Sequence, residues 1–220
     1  MKDALLDEYQ QLYNRYLIPV ARQLERLIAS HLQGLPRIDR VSARAKSPDR
    51  FHEKAGRKTE SGKPRYTSPL TQIQDQVAAR VVVFYHSDVE PTTSRLLNYF
   101  QPIENRTVIP DSDWKFGYFG KHLILALPGD AIPRELEPID IPRFFELQVK
   151  TLFQHAWSEA NHDLGYKPVE ALDDDQTRRL AFTSAQAWGA DRIFHELFQE
   201  LVSFESNQLT GGKTNQEPGA

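Results

Sequence analysis

The sequence contains no cysteine. This absence excludes disulfide bridges, cysteine-ligated zinc and iron–sulfur sites, and catalysis by a thiol nucleophile. Long hydrophobic runs are missing as well: the apolar stretch from Ala78 to Tyr85 contains Arg80 and is too short to span a bilayer. The first residues include Asp3, Asp7 and Glu8, where a signal peptide would need basic residues followed by an apolar run. We therefore expect a soluble cytoplasmic protein without membrane partners.

An excess of positive charge is also lacking. The chain has 27 Lys and Arg against 30 Asp and Glu, so its formal net charge is −3. No overall attraction to nucleic acid or to an anionic membrane follows from this balance, and any anion site must be a local cluster. The 220 residues, 40% hydrophobic and 26% charged, are typical of one globular domain with room for helical additions.

The apolar spacing predicts the main elements. Helical patterns cover residues 3–32, 48–58, 88–100, 152–163 and 174–206, and strand patterns cover 37–45, 78–85, 103–109, 122–127 and 144–149. Two of these strands follow each other without a helix, which favours an α/β (α+β) fold: a mixed sheet of about five strands flanked by helices. We expect a helical region at 1–36, a core at 37–170, a second helical region at 171–207 and a disordered tail at 208–220. The polar segment 59–69 is predicted to be a mobile loop.

A basic cluster precedes the first Val-rich strand. Arg44 and Lys46 are two residues apart on a predicted strand, so their side chains share a face. Lys54 lies one helical turn from Arg50 and from Arg57. Arginine binds phosphate as a fork and lysine as a point charge, so the cluster suits a polyphosphate. A solvated basic surface is the alternative.

Two charged residues flank or enter the Val-rich strand. Asp75 lies at its mouth and Arg80 lies inside an apolar run. A buried charge is costly unless it is paired or holds a metal. The pattern therefore predicts either an ion pair between Asp75 and Arg80 or a metal site at Asp75.

The last predicted strand has one polar face. Its period of two places Glu146, Gln148 and Lys150 on that face and the apolar residues on the other. Asp75 and Glu146 would meet if their strands are neighbours, and two converging carboxylates suit Mg²⁺ in phosphoryl chemistry. Exposed charges at a sheet edge are the alternative.

An aromatic segment stands between glycines. Tyr118 lies between Gly117 and Gly120, which permit close backbone approach, and its ring offers a stacking surface for a base. An ordinary hairpin loop would have the same composition.

These motifs, in this order, resemble the synthetase domain of RelA/SpoT proteins, and the chain length is similar to that of a small alarmone synthetase. The resemblance extends from Arg40 to Lys167. It rests on five ordered motifs: Arg44-x-Lys46 with Lys54, Asp75-x-x-Ala78-x-Arg80, Gly117-Tyr118-x-x-x-His122, Glu146-x-Gln148-x-Lys150-Thr151, and His155-Ala-Trp157 through His162-Asp163 to Tyr166-Lys167.

The resemblance implies a nucleotidyltransferase-like fold and a Mg²⁺-dependent transfer of pyrophosphate from ATP to the ribose 3′-OH of GDP or GTP, giving (p)ppGpp. For the donor, it implies that Arg44 and Arg80 enclose the adenine and that Lys46 and Lys54 bind the ATP phosphates. Asp75 resembles the magnesium ligand, and Glu146 the second acid, as metal ligand or base. For the acceptor, it implies stacking of the guanine on Tyr118, with Lys121, His122 and Gln148 nearby.

Two alternatives stay open. Toxic members of the family, each paired with an antitoxin, pyrophosphorylate adenine nucleotides or the 3′ end of tRNA, and a non-catalytic nucleotide sensor could keep the same fold. Lys121 and Lys150 depart from the common family pattern, and we interpret them as tuning of the acceptor site. The resemblance also implies a homo-oligomer, for which the long terminal helices could supply the interface.

Overall fold

A computed structural model describes residues 4–108, 120–136, 143–166 and 172–211. Its five strands form one sheet in the order β1-β2-β5-β4-β3. The strands are β1 (Ile38–Ala45), β2 (Val77–Val83), β3 (Pro102–Val108), β4 (Gly120–Ala126) and β5 (Phe144–Thr151). β2 and β5 run parallel, and the other neighbours are antiparallel. The predicted mixed α+β sheet is therefore confirmed.

The helices flank this sheet. They are α1 (Ala4–Leu12), α2 (Ile18–His31), α3 (Pro48–Ala55), α4 (Pro69–Gln72), α5 (His86–Leu97), α6 (Leu152–Tyr166) and α7 (Asp174–Gly211). A π-helical turn, Tyr13–Leu17, joins α1 to α2. Pro19 lies two residues after this turn and has no amide hydrogen for the carbonyl of Arg15, which accounts for the widened turn at this point.

Two segments differ from the sequence prediction. α7 continues to Gly211, beyond the residue at which we expected a disordered tail to begin. The segment predicted as a mobile loop instead begins with a closed turn, in which the Thr59 amide donates to the carbonyl of Lys63 at 2.8 Å. Gly62 has a φ of +78° in this turn, a conformation that glycine adopts without steric cost.

The two faces of the sheet differ in character because side chains alternate along each strand. Phe145, Leu147 and Val149 of β5 are at most 1% exposed and belong to a core that includes Leu24 of α2 and Leu96 of α5. The opposite face is polar, and α6 covers only part of it. None of the helices in the described ranges has the length and apolarity that crossing a membrane requires.

Candidate active site

The strand register brings distant polar residues into one row. Parallel pairing of β2 with β5 sets Ala78 opposite Glu146 and Arg80 opposite Gln148. Antiparallel pairing of β4 with β5 then sets His122 opposite Gln148. Residues directly opposite each other in a sheet project to the same face. The polar face therefore collects side chains from three strands that are far apart in sequence.

Asp75 lies between two lysines. Its Oδ2 is 2.9 Å from Nζ of Lys46, and its Oδ1 is 2.9 Å from Nζ of Lys54. Burial would raise the pKa of Asp75, but the two ammonium groups outweigh burial and hold the pKa below its ordinary value. The carboxylate is therefore ionised at neutral pH. The ion pair considered between Asp75 and Arg80 is wrong, because both oxygens of Asp75 face lysines.

A buried glutamine organises the turn that carries Asp75. Gln76 is fully buried, and its Nε2 donates to the carbonyls of Leu70 at 2.7 Å and Ile73 at 3.0 Å. The backbone carbonyl of Gln76 accepts a hydrogen bond from the backbone amide of Lys46 at 2.8 Å. Sequence reasoning did not single out Gln76. The only available signal was a polar residue directly before an apolar strand.

Glu146 has a different environment. His122 Nδ1 donates to Glu146 Oε1 at 2.8 Å, and Gln148 Nε2 donates to Oε2 at 3.2 Å. Burial is the largest influence on the pKa of Glu146 and raises it, but the hydrogen bond and charge of His122, together with the hydrogen bond from Gln148, outweigh burial and leave the pKa below its ordinary value. The negative charge of Asp75 opposes that lowering, which places the two carboxylates within electrostatic range of each other.

Arg80 is held by helix α6. Its guanidinium pairs with Glu159 and lies 3.2 Å from Nδ1 of His155. Arg44 and Arg80 line a cavity of about 340 Å³. Arg80 Nε and Gln148 Oε1, both on this cavity wall, are buried without a hydrogen-bond partner in the described part of the chain. Since buried polar atoms are normally satisfied, the wall suits a polar ligand.

The structure does not bring every predicted residue to this face. Lys121 projects to the opposite face from His122, and its Nζ lies 3.6 Å from Glu90 of α5, so it does not join the predicted acceptor group. Lys150 is buried beneath α6 instead of facing an acceptor. The interpretation of both lysines as acceptor tuning therefore finds no support. Tyr118 lies outside the described residues.

The carboxylate oxygens of Asp75 and Glu146 suit a magnesium ion that is bound together with substrate better than a metal that is held by protein ligands alone. No group of three His, Asp or Glu side chains with metal-binding geometry exists within the described ranges. Mg²⁺ is commonly bound by one or two carboxylates together with substrate phosphates and water. Asp75 and Glu146 are carboxylates of this kind, and Lys46 and Lys54 lie beside Asp75.

Solved structures share this fold. The small alarmone synthetase 1 from Bacillus subtilis is 21% identical, with a TM-score of 0.71, covering 90% of this chain and 99% of that one. Its structure bound to its product pppGpp gives 22% identity and a TM-score of 0.67 over the same shares. A GTP pyrophosphokinase family protein from Streptococcus pneumoniae is 20% identical, with a TM-score of 0.71 over 88% of this chain and 94% of that one.

Sequence comparison identifies the family. None of the curated proteins compared with the chain matches it significantly. The model of the region found in RelA / SpoT proteins matches residues 43–171. This range is more than half of the chain and contains Asp75 and Glu146 with their partners, as well as Arg44 and Arg80 of the cavity. The chain therefore belongs to the RelA/SpoT family.

Proposed function

We propose that the protein transfers the pyrophosphate group of ATP to the ribose 3′-OH of GDP or GTP and so makes (p)ppGpp. The observation that carries this proposal is a pair of ionised carboxylates that act on each other electrostatically, Asp75 in the turn before β2 and Glu146 on β5. Asp75 is held between Lys46 and Lys54, and Glu146 is held by His122. Membership of the RelA/SpoT family and the related B. subtilis enzyme solved with its product pppGpp support the same reaction.

The donor site lies at the cavity that Arg44 and Arg80 line. A guanidinium is planar and permanently charged, so these two side chains can stack on the two faces of an adenine. Lys46 and Lys54 would turn from Asp75 toward the ATP phosphates. Because two lysines share one carboxylate in the free protein, the site carries a local surplus of positive charge for a polyphosphate.

Asp75 and Glu146 would hold Mg²⁺. When bound, the ion neutralises phosphate charge and orients the phosphates for in-line displacement. Asp75 could serve as a ligand to the ion once Lys46 and Lys54 have turned from its carboxylate to the ATP phosphates.

The transfer itself needs positioning and one proton acceptor. The acceptor 3′ oxygen forms a bond to the β-phosphorus of ATP, the bond from that phosphorus to the α,β-bridging oxygen breaks, and AMP leaves. Glu146 accepts the hydroxyl proton, which its ionised state permits. His122 and Gln148 hold the Glu146 carboxylate during this step. Tyr118 is proposed to stack on the acceptor guanine.

A transfer assay tests the proposal. Magnesium and β,γ-labelled ATP are supplied with GDP, GTP, ADP, ATP or bulk tRNA in separate reactions. We expect label on GDP and GTP. The variant E146Q, prepared in parallel, excludes a contaminating activity if it transfers no label.

The same assay distinguishes the alternatives. Label on adenine nucleotides or on tRNA would reject the guanine acceptor and favour a toxic relative with an antitoxin. Folded protein that binds ATP and magnesium but transfers no label to any acceptor would overturn the enzymatic proposal in favour of a nucleotide sensor.

A further inference from the structure

Lys150 is the most deeply buried cation on the polar face of the sheet. Its side chain follows Glu146 and Gln148 on the same face of β5, yet it lies beneath α6 and is only 2% exposed. Burial of an ammonium group is costly unless polar partners compensate. A lysine in this position therefore needs a structural or functional reason.

A chain of hydrogen bonds leads from Lys150 to the cavity. Its Nζ donates to Oγ of Ser158 at 3.0 Å, and that hydroxyl donates to the carbonyl of His155 at 2.9 Å. The ring of His155 lies 3.2 Å from the guanidinium of Arg80, and Glu159 pairs with the same guanidinium. Lys150 thus connects β5 to the first two turns of α6, which hold Arg80.

The charged groups that act on Lys150 include the residues that line the cavity. Burial is the largest influence and lowers the pKa of Lys150 to about 7. The charged groups that act on it from the surrounding elements are Arg80 of β2 and Arg44 of β1, which lower the pKa, and Glu159 of α6 and Glu146 of β5, which raise it. Burial is the largest influence on the pKa values of His155 and Glu159, followed by Arg80, and the Lys150 ammonium group makes a smaller contribution that lowers both.

We propose that Lys150 is a positioning residue of the donor-nucleotide site, which acts through Ser158 and α6 to hold His155 and Glu159 against Arg80. This inference rests on the proposed function, because Arg80 is placed there at the adenine of ATP. The polar face of β5 would then have two roles. Glu146 and Gln148 would act at the reacting groups, and Lys150 would position the residues that bind the adenine of the donor.

Three variants test this role. K150M removes the donor, S158A removes the relay while keeping the lysine, and K150R keeps a cation at the position. ATP binding is measured by calorimetry with a non-hydrolysable ATP analogue, and KM is measured separately for ATP and GDP. We expect K150M to weaken ATP binding about tenfold and S158A about threefold, with the KM for GDP within about twofold of wild type. K150R should restore most of the affinity.

The pH profile adds a readout that simple destabilisation would not change. As the pH rises from 6 to 8.5, the Lys150 ammonium group loses its proton and becomes a weaker hydrogen-bond donor to Ser158, so its hold on α6 weakens and the KM for ATP should rise about threefold. At each pH the KM of wild type for ATP is divided by that of K150R, which removes the effect of the titration of ATP itself. A ratio that is constant across this range contradicts the proposal.

A matched control is the exposed Lys63 in the turn after α3, where K63M should leave ATP binding unchanged. If wild-type protein binds no ATP, the proposed function fails. If wild type binds ATP and transfers label while K150M and S158A bind ATP equally well, the positioning role alone is wrong. Should K150M fail to fold by circular dichroism, S158A decides: unchanged ATP binding in that variant overturns the proposal.

Discussion

Asp75 and Glu146 are both ionised, but their charges are balanced by different groups. Asp75 is compensated by two flexible ammonium groups, which can move to a phosphate when one arrives. Glu146 is held by an imidazole and an amide that extend from strands β4 and β5. At the residue scale the site therefore combines one carboxylate with mobile partners and one with fixed partners. Mobile partners suit Asp75 as a metal ligand that becomes available only when the substrate binds. Fixed partners suit Glu146 as a base that is oriented before the substrate binds.

The Asp75 assignment predicts the effect of D75N. The amide keeps the shape of the side chain but removes its charge, so it cannot hold Mg²⁺ beside the phosphates. We expect turnover to fall about 10²–10³-fold, an effect of the size seen when one charge-stabilising group is lost. Labelled transfer and thermal unfolding are measured together, with E60Q at the exposed hairpin turn as control. Turnover close to wild type in D75N would reject the magnesium role.

The contact between His122 and Glu146 predicts a pH effect. Glu146 has a depressed pKa, so its ionised form, and the activity that needs it, is lost only as the pH falls below the ordinary range for glutamate. H122A removes the hydrogen bond that lowers this pKa, so the acid limb of the kcat profile should move to higher pH. Profiles of wild type and H122A that superimpose would show that Glu146 is not the group on which turnover depends.

At the scale of elements, the turn before β2 decides where Asp75 lies. Gln76 closes this turn by donating to the carbonyls of Leu70 and Ile73, and the bond to Ile73 is buried while the bond to Leu70 is partly buried. Q76L fills a similar volume but leaves two carbonyls unsatisfied. We expect a loss of about 1–3 kcal/mol in the free energy of unfolding, together with reduced turnover.

Chemical denaturation measures the stability of Q76L, and the labelled transfer assay measures its turnover. The exposed Gln33, in the variant Q33L, is the matched control. Stability and turnover both equal to wild type would show that the Gln76 bonds do not hold the turn.

Helix α7 is attached to the sheet through a buried acid. Thr151 Oγ1 donates to Oδ2 of Asp191 at 2.9 Å, and burial raises the pKa of Asp191 to about 6. A carboxyl whose folded pKa is raised stabilises the fold fully below its unfolded pKa, and this contribution is lost as the pH rises through about 6. D191N cannot ionise, yet it still offers an oxygen to Thr151.

We therefore expect D191N to match wild type near pH 4 and to be more stable at pH 8 by about 1–3 kcal/mol. Denaturant unfolding across this range measures the difference, and D7N at the exposed first turn of α1 is the control. A stability difference that does not change with pH would contradict a buried, titrating Asp191.

At the scale of the whole molecule, α7 exposes an apolar surface. Seven of its large side chains are between 44% and 65% exposed: Phe182, Ile193, Phe194, Leu197, Leu201, Val202 and Phe204. Apolar exposure of this extent marks an interaction surface, and a helix face can pair with its own copy about a two-fold axis.

Self-association, predicted from the sequence, stays a prediction. Sedimentation should show an oligomer that the double variant L197E/L201E reduces to monomer, and a monomeric wild type would reject it.

The fold could be predicted in large part because local patterns agree with it. Alternation in β5 separates Phe145, Leu147 and Val149 from Glu146 and Gln148, and burial confirms that separation. The partners of the charged residues could not be predicted in the same way. Asp75 and Arg80 are close in sequence, yet one meets Lys46 and Lys54 and the other meets Glu159.

By itself, then, the sequence determined the strand and helix pattern, the candidate residue types and the family, since these depend on local spacing and composition. Only the tertiary structure decided that His122 holds Glu146, that Lys121 projects away from the site and that Lys150 lies beneath α6. The reason is physical. A charged side chain pairs with whatever charge the strand order and register bring within a few ångströms, and neither strand order nor register is a property of a local segment.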